Sequence, residues 1–206
     1  MAPKLLNENY KKNFLEVEDF GNDTIYKIMT KKKSNKLLYF KKIIKVLNQI
    51  QVIHDKRIQN FKDKIYIIPK YDKKILIRET NLFCNWYIKE KLSRRQGQKF
   101  IRKFKKIITK LTHSLKLKND TFVHRDFHVS NLMLVKNKIA VIDSQDALIG
   151  NKAYDLASLI DDVRLKNTNL LKDKIYKFYM SKQKKINKYK FRNDFEILSI
   201  LRNLKI

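Results

Sequence analysis

The stretch from His124 to Ile160, HRDFHVSNLMLVKNKIAVIDSQDALIGNKAYDLASLI, constrains this chain more tightly than any other. It opens with His124-Arg125-Asp126 and sets Asn131 five residues after the Asp. Two short apolar runs follow, Leu132–Val135 and Ile139–Ile142, joined by Lys136-Asn137-Lys138 in a hairpin signature. Asp143-Ser144-Gln145-Asp146 comes directly after the second run. Clustered carboxylate and amide oxygens are the ligands a hard cation such as Mg²⁺ prefers. Chemistry on phosphate groups needs such a cluster, because the charge on the phosphate oxygens must be neutralised by metal. An Asp and an Asn at this spacing alone would be an ordinary turn. The intervening strands and the downstream acid make the pattern specific.

Composition bounds the rest. The 206 residues suit one domain, and 43% hydrophobic with 11% aromatic residues supports a packed core rather than disorder. The 48 Lys and Arg against 20 Asp and Glu leave a net charge of +28. Such charge favours anionic partners in general. The lysines are spread over almost every segment rather than gathered in one tract, and no Gly-flanked aromatic or helix-turn-helix signature accompanies them. The excess therefore reads as compositional background, and no specific nucleic-acid partner is expected. The single cysteine, Cys84, excludes an internal disulfide and fits a reducing compartment. Its place in Leu82-Phe83-Cys84 reads as a buried, inert thiol. The N-terminus carries no apolar signal segment, and no apolar run nears the ~18 residues that span a bilayer. A cytoplasmic protein with no membrane partner is the simplest expectation, and no oligomeric state is set.

Along the chain, 13–21 reads as an apolar strand ending at an acidic pair and Gly21. Residues 34–53 repeat apolar side chains at Leu37, Leu38, Phe40, Ile43, Ile44, Leu47 and Ile50, the period of an amphipathic helix. Pro69-Lys70-Tyr71-Asp72 is a turn into a helix from Ile75 to Leu92, and a second helix runs from Gln96 to Leu117. The residues around His124 to His128 read as strand, loop, strand. Further helices are expected over 153–165, 169–181 and 191–205. No internal repeat and no Pro/Gly/Ser linker interrupts this order.

The order and the motifs resemble the aminoglycoside phosphotransferase and choline kinase superfamily, small-molecule relatives of the protein kinases. The resemblance narrows toward the bacterial N-acetylmuramate/N-acetylglucosamine kinases. It rests on Glu18-Asp19-Phe20-Gly21, Tyr71-Asp72, Arg78-Glu79, Leu82-Phe83 and Trp86-Tyr87. It continues through His124-Arg125-Asp126-Phe127-His128 with Asn131, Asp143-Ser144-Gln145-Asp146-Ala147, and Tyr154-Asp155-Leu156-Ala157-Ser158-Leu159. It implies an α+β, protein-kinase-like fold: a remnant of the N-terminal sheet and hinge over 1–21, and a mostly helical C-terminal lobe over 22–206. It also implies ATP and Mg²⁺ as cofactors, and a small-molecule acceptor, an amino sugar phosphorylated at its anomeric hydroxyl.

On this resemblance Asp126 is the base that orients or deprotonates the acceptor hydroxyl, and Asn131 and Asp143 hold Mg²⁺. Glu18, Asp19 and Phe20 form the hinge that offers backbone groups to adenine, where an ordinary strand end is the plainer reading. Asp155 is structural support for the catalytic loop, a role compatible with an acid favoured in a first helical turn. His124 braces the loop, and with His128 it forms an H-x3-H pair that lacks the helix and third ligand zinc needs. Arg125 is expected to orient a carboxylate or a phosphate. Gln145 and Asp146 stand as sugar-hydroxyl contacts or as loop caps. Glu79 and Trp86, seven apart on one helical face, suit a sugar ring, while a core Trp86 is the plainer reading.

Two departures temper the resemblance. Ser144 stands where the family has an aromatic residue. The only glycines, Gly21, Gly97 and Gly150, are far apart, so no phosphate-covering loop is expected, and Lys4 lies too late to pair with phosphates. The chain is therefore expected to be truncated at both ends, with negligible kinase activity alone and a hinge strand prone to self-association. The rival reading is a non-catalytic kinase-fold binding or regulatory module.

Overall fold

A computed structural model describes residues 1–31, 34–59 and 64–205. The chain opens with a hairpin of β1 (Leu5–Asn9) and β2 (Phe14–Val17), whose residues are exposed throughout. A short helix, α1 (Ile25–Thr30), and the longer α2 (Lys36–Ile50) follow. In α2 the residues Phe40, Ile43, Ile44 and Leu47 are buried, as their spacing predicts, and the Asn35 side chain caps the first turn by accepting from Leu38 N. A second exposed hairpin joins β3 (Arg57–Gln59) to β4 (Ile65–Ile67).

Asp72 caps α3 (Lys73–Phe83), which continues through one π-turn (Cys84–Ile88) into the brief α4 (Lys89–Lys91). The π-turn is a correction to the uniform helix expected over Ile75 to Leu92. It winds fewer degrees per residue than an α-helix, so Glu79 and Trp86 leave their common face. Glu79 is buried, whereas Trp86 is 77% exposed. Neither a core Trp86 nor a Glu79–Trp86 pair survives. Cys84 is buried, and burial pushes its thiol up from the ordinary value.

Helix α5 (Arg94–His113) ends shortly before β5 (Asn119–Val123). The β6 (Leu132–Val135) and β7 (Lys138–Val141) hairpin forms as its sequence predicts, turning at Lys136 and Asn137, both with positive φ. Strand β8 (Leu148–Asn151) pairs antiparallel with β5 across the intervening hairpin. There Gly150 is required: a Cβ would meet Tyr71 Cβ at 3.0 Å and Val123 Cγ2 at 3.2 Å.

Helix α6 (Tyr154–Ile160) is buried along its whole length and lies at the centre of the apolar core. It is shorter than the predicted 153–165, because the Asp162 side chain takes Arg164 N at 3.2 Å and turns the chain out of the helix. Helices α7 (Asn169–Ser181) and α8 (Lys188–Asn203) close the fold. The architecture is α+β: helices around a central α6, with small two-stranded sheets on one side.

Asp194 ties this arrangement together. Fully buried on α8, it accepts from Lys116 N and Leu117 N at 2.8 Å and from Asn151 Nδ2 at 2.6 Å. One carboxylate thus ties the link between α5 and β5, the end of β8 and the middle of α8 together. Asp194→Ala leaves those donors without an acceptor, and its unfolding free energy should fall by roughly 3 kcal/mol. Urea denaturation checks this; a loss below about 1 kcal/mol would show that the junction does not depend on Asp194.

Candidate active site

Backbone pairing assembles the site. The register Leu132↔Val141 sets the residue before β6 beside the residues after β7, and Ile142 N donates to Asn131 O at 3.1 Å. Asn131 and Asp143 therefore meet across the open end of the hairpin. Asn131 Nδ2 donates to Asp143 Oδ2 and to Asp126 O, each at 3.1 Å. Its amide nitrogen is thereby committed to the loop. Its Oδ1 accepts no hydrogen bond among the described residues and is open to a ligand. Asp143 Oδ1 accepts from Gln145 Nε2 at 2.6 Å, so Gln145 steadies the carboxylate. An amide oxygen beside a carboxylate is a donor set that fits Mg²⁺, which takes its remaining ligands from water and phosphate.

Arg125 and Asp143 hold left-handed backbone, with φ of 78° and 67°. Side chains disfavour that region, so the surrounding structure must impose it. For Arg125 the constraint is Asp155, at the start of α6. Its carboxylate, wholly buried, accepts from His124 N at 2.8 Å and Arg125 N at 3.0 Å. His124 Nε2 donates to Ile142 O at 3.0 Å and joins the loop to the end of β7. That bond fixes the imidazole's tautomer, and burial lowers its pKa.

Asp126 projects from this loop. Lys205, just beyond α8, donates from Nζ to Asp126 Oδ1 at 3.1 Å. Asp126 Oδ2 has no partner among the described residues. Burial pushes the Asp126 carboxyl up, but the neighbouring positive charges, Lys205 foremost and Arg125 with it, together hold the group below the ordinary carboxylate range. The Asp126 carboxylate is thus favoured in its ionised form, with Oδ2 open among the described residues.

Arg125 points the other way. Its Nε and Nη2 reach Glu79 Oε1 at 3.0 and 2.5 Å, and its Nη1 lies 3.7 Å from Asp146 Oδ1. Glu79 Oε2 accepts from the Tyr71 hydroxyl, whose oxygen lies 3.0 Å from the Tyr154 hydroxyl and accepts its proton. Burial, reinforced by Tyr154 and Glu79, raises the Tyr71 pKa well above its usual value, so Tyr71 stays a donor. The Glu79 side chain is 9% exposed and that of Asp146 62%, so Glu79 anchors Arg125 while Asp146 remains available at the rim.

The fold thus gathers Asp126, Asn131, Asp143, Gln145, Arg125, Asp146 and Glu79, with His124 and Asp155 behind them. Trp86 does not join; it lies exposed at the π-turn. Glu18, Asp19 and Phe20 follow β2: Asp19 Oδ1 accepts from Gly21 N at 2.7 Å, and Glu18 N donates to Lys4 O at 2.8 Å. The chain reaches β6 slightly later, where Leu134 N donates to Asp23 O at 2.9 Å. Two residues absent from the sequence reading of the site stand beside the base. Lys205 carries no motif. His128, read there only as half of a metal pair, is buried, and burial together with the charge of Arg164 lowers its pKa to about 4.

The Phosphotransferase enzyme family matches residues 39–177, and the chain belongs to that family. It is 29% identical over 164 residues to the N-acetylmuramate/N-acetylglucosamine kinase of Neisseria meningitidis serogroup B, covering 78% of this chain and 46% of that protein. The enzyme of the same name from Pseudomonas aeruginosa is also 29% identical, over 161 residues, covering 78% and 44%. The chain spans about half the length of these relatives. Among solved structures, choline kinase LicA from Streptococcus pneumoniae superposes with a TM-score of 0.62 at 13% identity, covering 99% of this chain and 63% of that one. The ADP-bound aminoglycoside phosphotransferase APH(2'')-Ib gives 0.59 at 17%, covering 100% and 77%. The fold is that of the kinase-like phosphotransferases.

Asp155 generates a pH prediction. Burial raises its carboxyl to about 7, against the pull of the two backbone donors. The stability contributed by a carboxyl raised above its unfolded value of about 3.9 is complete below that value. It is lost as pH rises through about 7. The stability gap between wild type and Asp155→Asn should therefore shrink by roughly 2–4 kcal/mol from pH 4 to pH 8. Urea melts of both proteins across that range read it directly, and a constant gap would show that Asp155 ionises normally.

Proposed function

We propose that this chain carries the catalytic lobe of an ATP- and Mg²⁺-dependent kinase that phosphorylates the anomeric hydroxyl of an amino sugar of the N-acetylmuramate/N-acetylglucosamine type. The observation that carries the reading is the juxtaposition of an ionised Asp126, open at Oδ2, with the amide oxygen of Asn131 and the carboxylate of Asp143. The two relatives named above support the acceptor class. In this reading residues 1–21 belong to the upper sheet and hinge, with the backbone of Glu18-Asp19-Phe20 facing adenine. Residues 22–206 are the lower, catalytic lobe of a cytoplasmic enzyme.

Asn131 Oδ1 and the Asp143 carboxylate would hold Mg²⁺, whose chemistry is to neutralise charge on the β- and γ-phosphate oxygens. Asp126 Oδ2 accepts the hydrogen bond of the acceptor hydroxyl and aims its lone pair at the γ-phosphorus. A carboxylate is a weak base, so its contribution is orientation, with proton uptake late along the reaction. Asp155 and His124 keep the loop in place without touching substrate. Asp146 and the Arg125 guanidinium, held by Glu79, face the acceptor as a hydroxyl acceptor and donor, and Gln145 lies at the same rim. Tyr71 fixes the far oxygen of Glu79, so Arg125 cannot swing away.

In a catalytically complete version of this kinase, Asp126→Asn should lower kcat by roughly 10²–10⁴ while Mg²⁺-dependent nucleotide binding persists. A near-normal rate would remove Asp126 from its role. Asp143→Ala should abolish Mg²⁺-dependent nucleotide binding, followed by calorimetry, with an unchanged far-UV spectrum. Retained binding would remove Asp143 from the metal site.

A further inference from the structure

The Lys205–Asp126 ion pair is more than a surface contact. Lys205 follows the last turn of α8, its backbone N–H donating to Arg202 O at 3.1 Å, and Arg202 is buried with Nε on Ser158 Oγ at 2.9 Å. The chain entering Lys205 is thus anchored in the core. Its side chain is only 20% exposed, so it cannot sweep freely through solvent. An ammonium has three donors. One goes to Asp126 Oδ1 at 3.1 Å, and no second acceptor appears among the described residues. The remaining donors sit beside the carboxylate whose other oxygen is open to the acceptor hydroxyl. Whatever group the acceptor oxygen attacks must come within reach of them.

We propose that Lys205 is a further catalytic residue, whose ammonium bridges the base and the transferring phosphoryl group and neutralises its equatorial oxygens. The inference rests on the kinase reading above. In the step, a lone pair of the acceptor oxygen forms the new O–P bond to the γ-phosphorus. The bond from that phosphorus to the β,γ-bridging oxygen breaks, and its electron pair leaves on the nucleoside diphosphate. The hydroxyl proton passes to Asp126 Oδ2. Lys205 stays protonated throughout, one N–H on Asp126 and another on a phosphoryl oxygen. After transfer that oxygen belongs to the sugar phosphate, so the same contact binds product and is absent for the unphosphorylated sugar.

That asymmetry gives a test that does not depend on turnover. Calorimetric affinities for N-acetylglucosamine and N-acetylglucosamine 1-phosphate should be measured for wild type, Lys205→Met and Lys205→Arg. Loss of one charge-assisted hydrogen bond should weaken Lys205→Met for the 1-phosphate by about tenfold and leave the free sugar unchanged, with Lys205→Arg near wild type. In turnover, Lys205→Met should lower kcat by roughly 10² with acceptor KM little changed. Equal weakening of both ligands, or none of either, in a wild type that binds sugar overturns the role of Lys205 alone. A wild type that binds neither the sugar nor its 1-phosphate overturns the kinase reading, and the role of Lys205 with it.

Discussion

The site depends first on one buried carboxylate. Asp155 lies in the core at the start of α6, and its two oxygens take the consecutive backbone N–H groups of His124 and Arg125. Burying such a group is costly unless its lone pairs are satisfied. These two bonds offset part of that cost and at the same time dictate where the loop after β5 runs. The left-handed backbone at Arg125 follows from them. The turn sends the Arg125 side chain toward Glu79 on α3 and leaves Asp126 on the open side of the loop. The core helix and the loop that carries Asp126 thus share one residue, so Asp126 is positioned with the rigidity of the interior.

A second constraint is electrostatic. The chain carries 48 basic and 20 acidic residues, yet the described site concentrates Glu79, Asp126, Asp143, Asp146 and Asp155 within one network. Carboxylates this close raise one another's pKa unless cations stand between them. Arg125 and Lys205 supply those cations, each paired to a different acid. Among the described residues Asn131 and Gln145 donate to Asp143, both through neutral amides. A cluster partly neutralised in this way suits a reaction in which negative charge is brought in by phosphate.

Much of this was legible in the sequence, for reasons that differ by element. The boundaries of α7 and the burial of α2 follow local signals, an N-cap and a helical apolar period. The β6–β7 hairpin was readable because two apolar runs flank a polar turn, and the Asn131–Asp143 contact follows from it. Strands β5 and β8 were not, since Asn119, Asp120, Gly150 and Asn151 disfavour strands locally and hold extended form only through each other. The π-turn that turns Trp86 outward has no sequence signature of this kind. Lys205 meets Asp126 across 79 residues of sequence, and one lysine in so basic a chain announces nothing.

The central claim is that Asn131 and Asp143 form a metal and phosphate site beside Asp126. It is tested most directly by Mn²⁺ titration in the presence of a non-hydrolysable ATP analogue, followed by paramagnetic broadening of ¹H–¹⁵N resonances. The account predicts that the Asn131 side-chain amide and the backbone amides of Asp143 and Ser144 broaden first, while the Trp86 indole stays sharp. Broadening centred on any other part of the chain, or none at all with nucleotide bound, would contradict it.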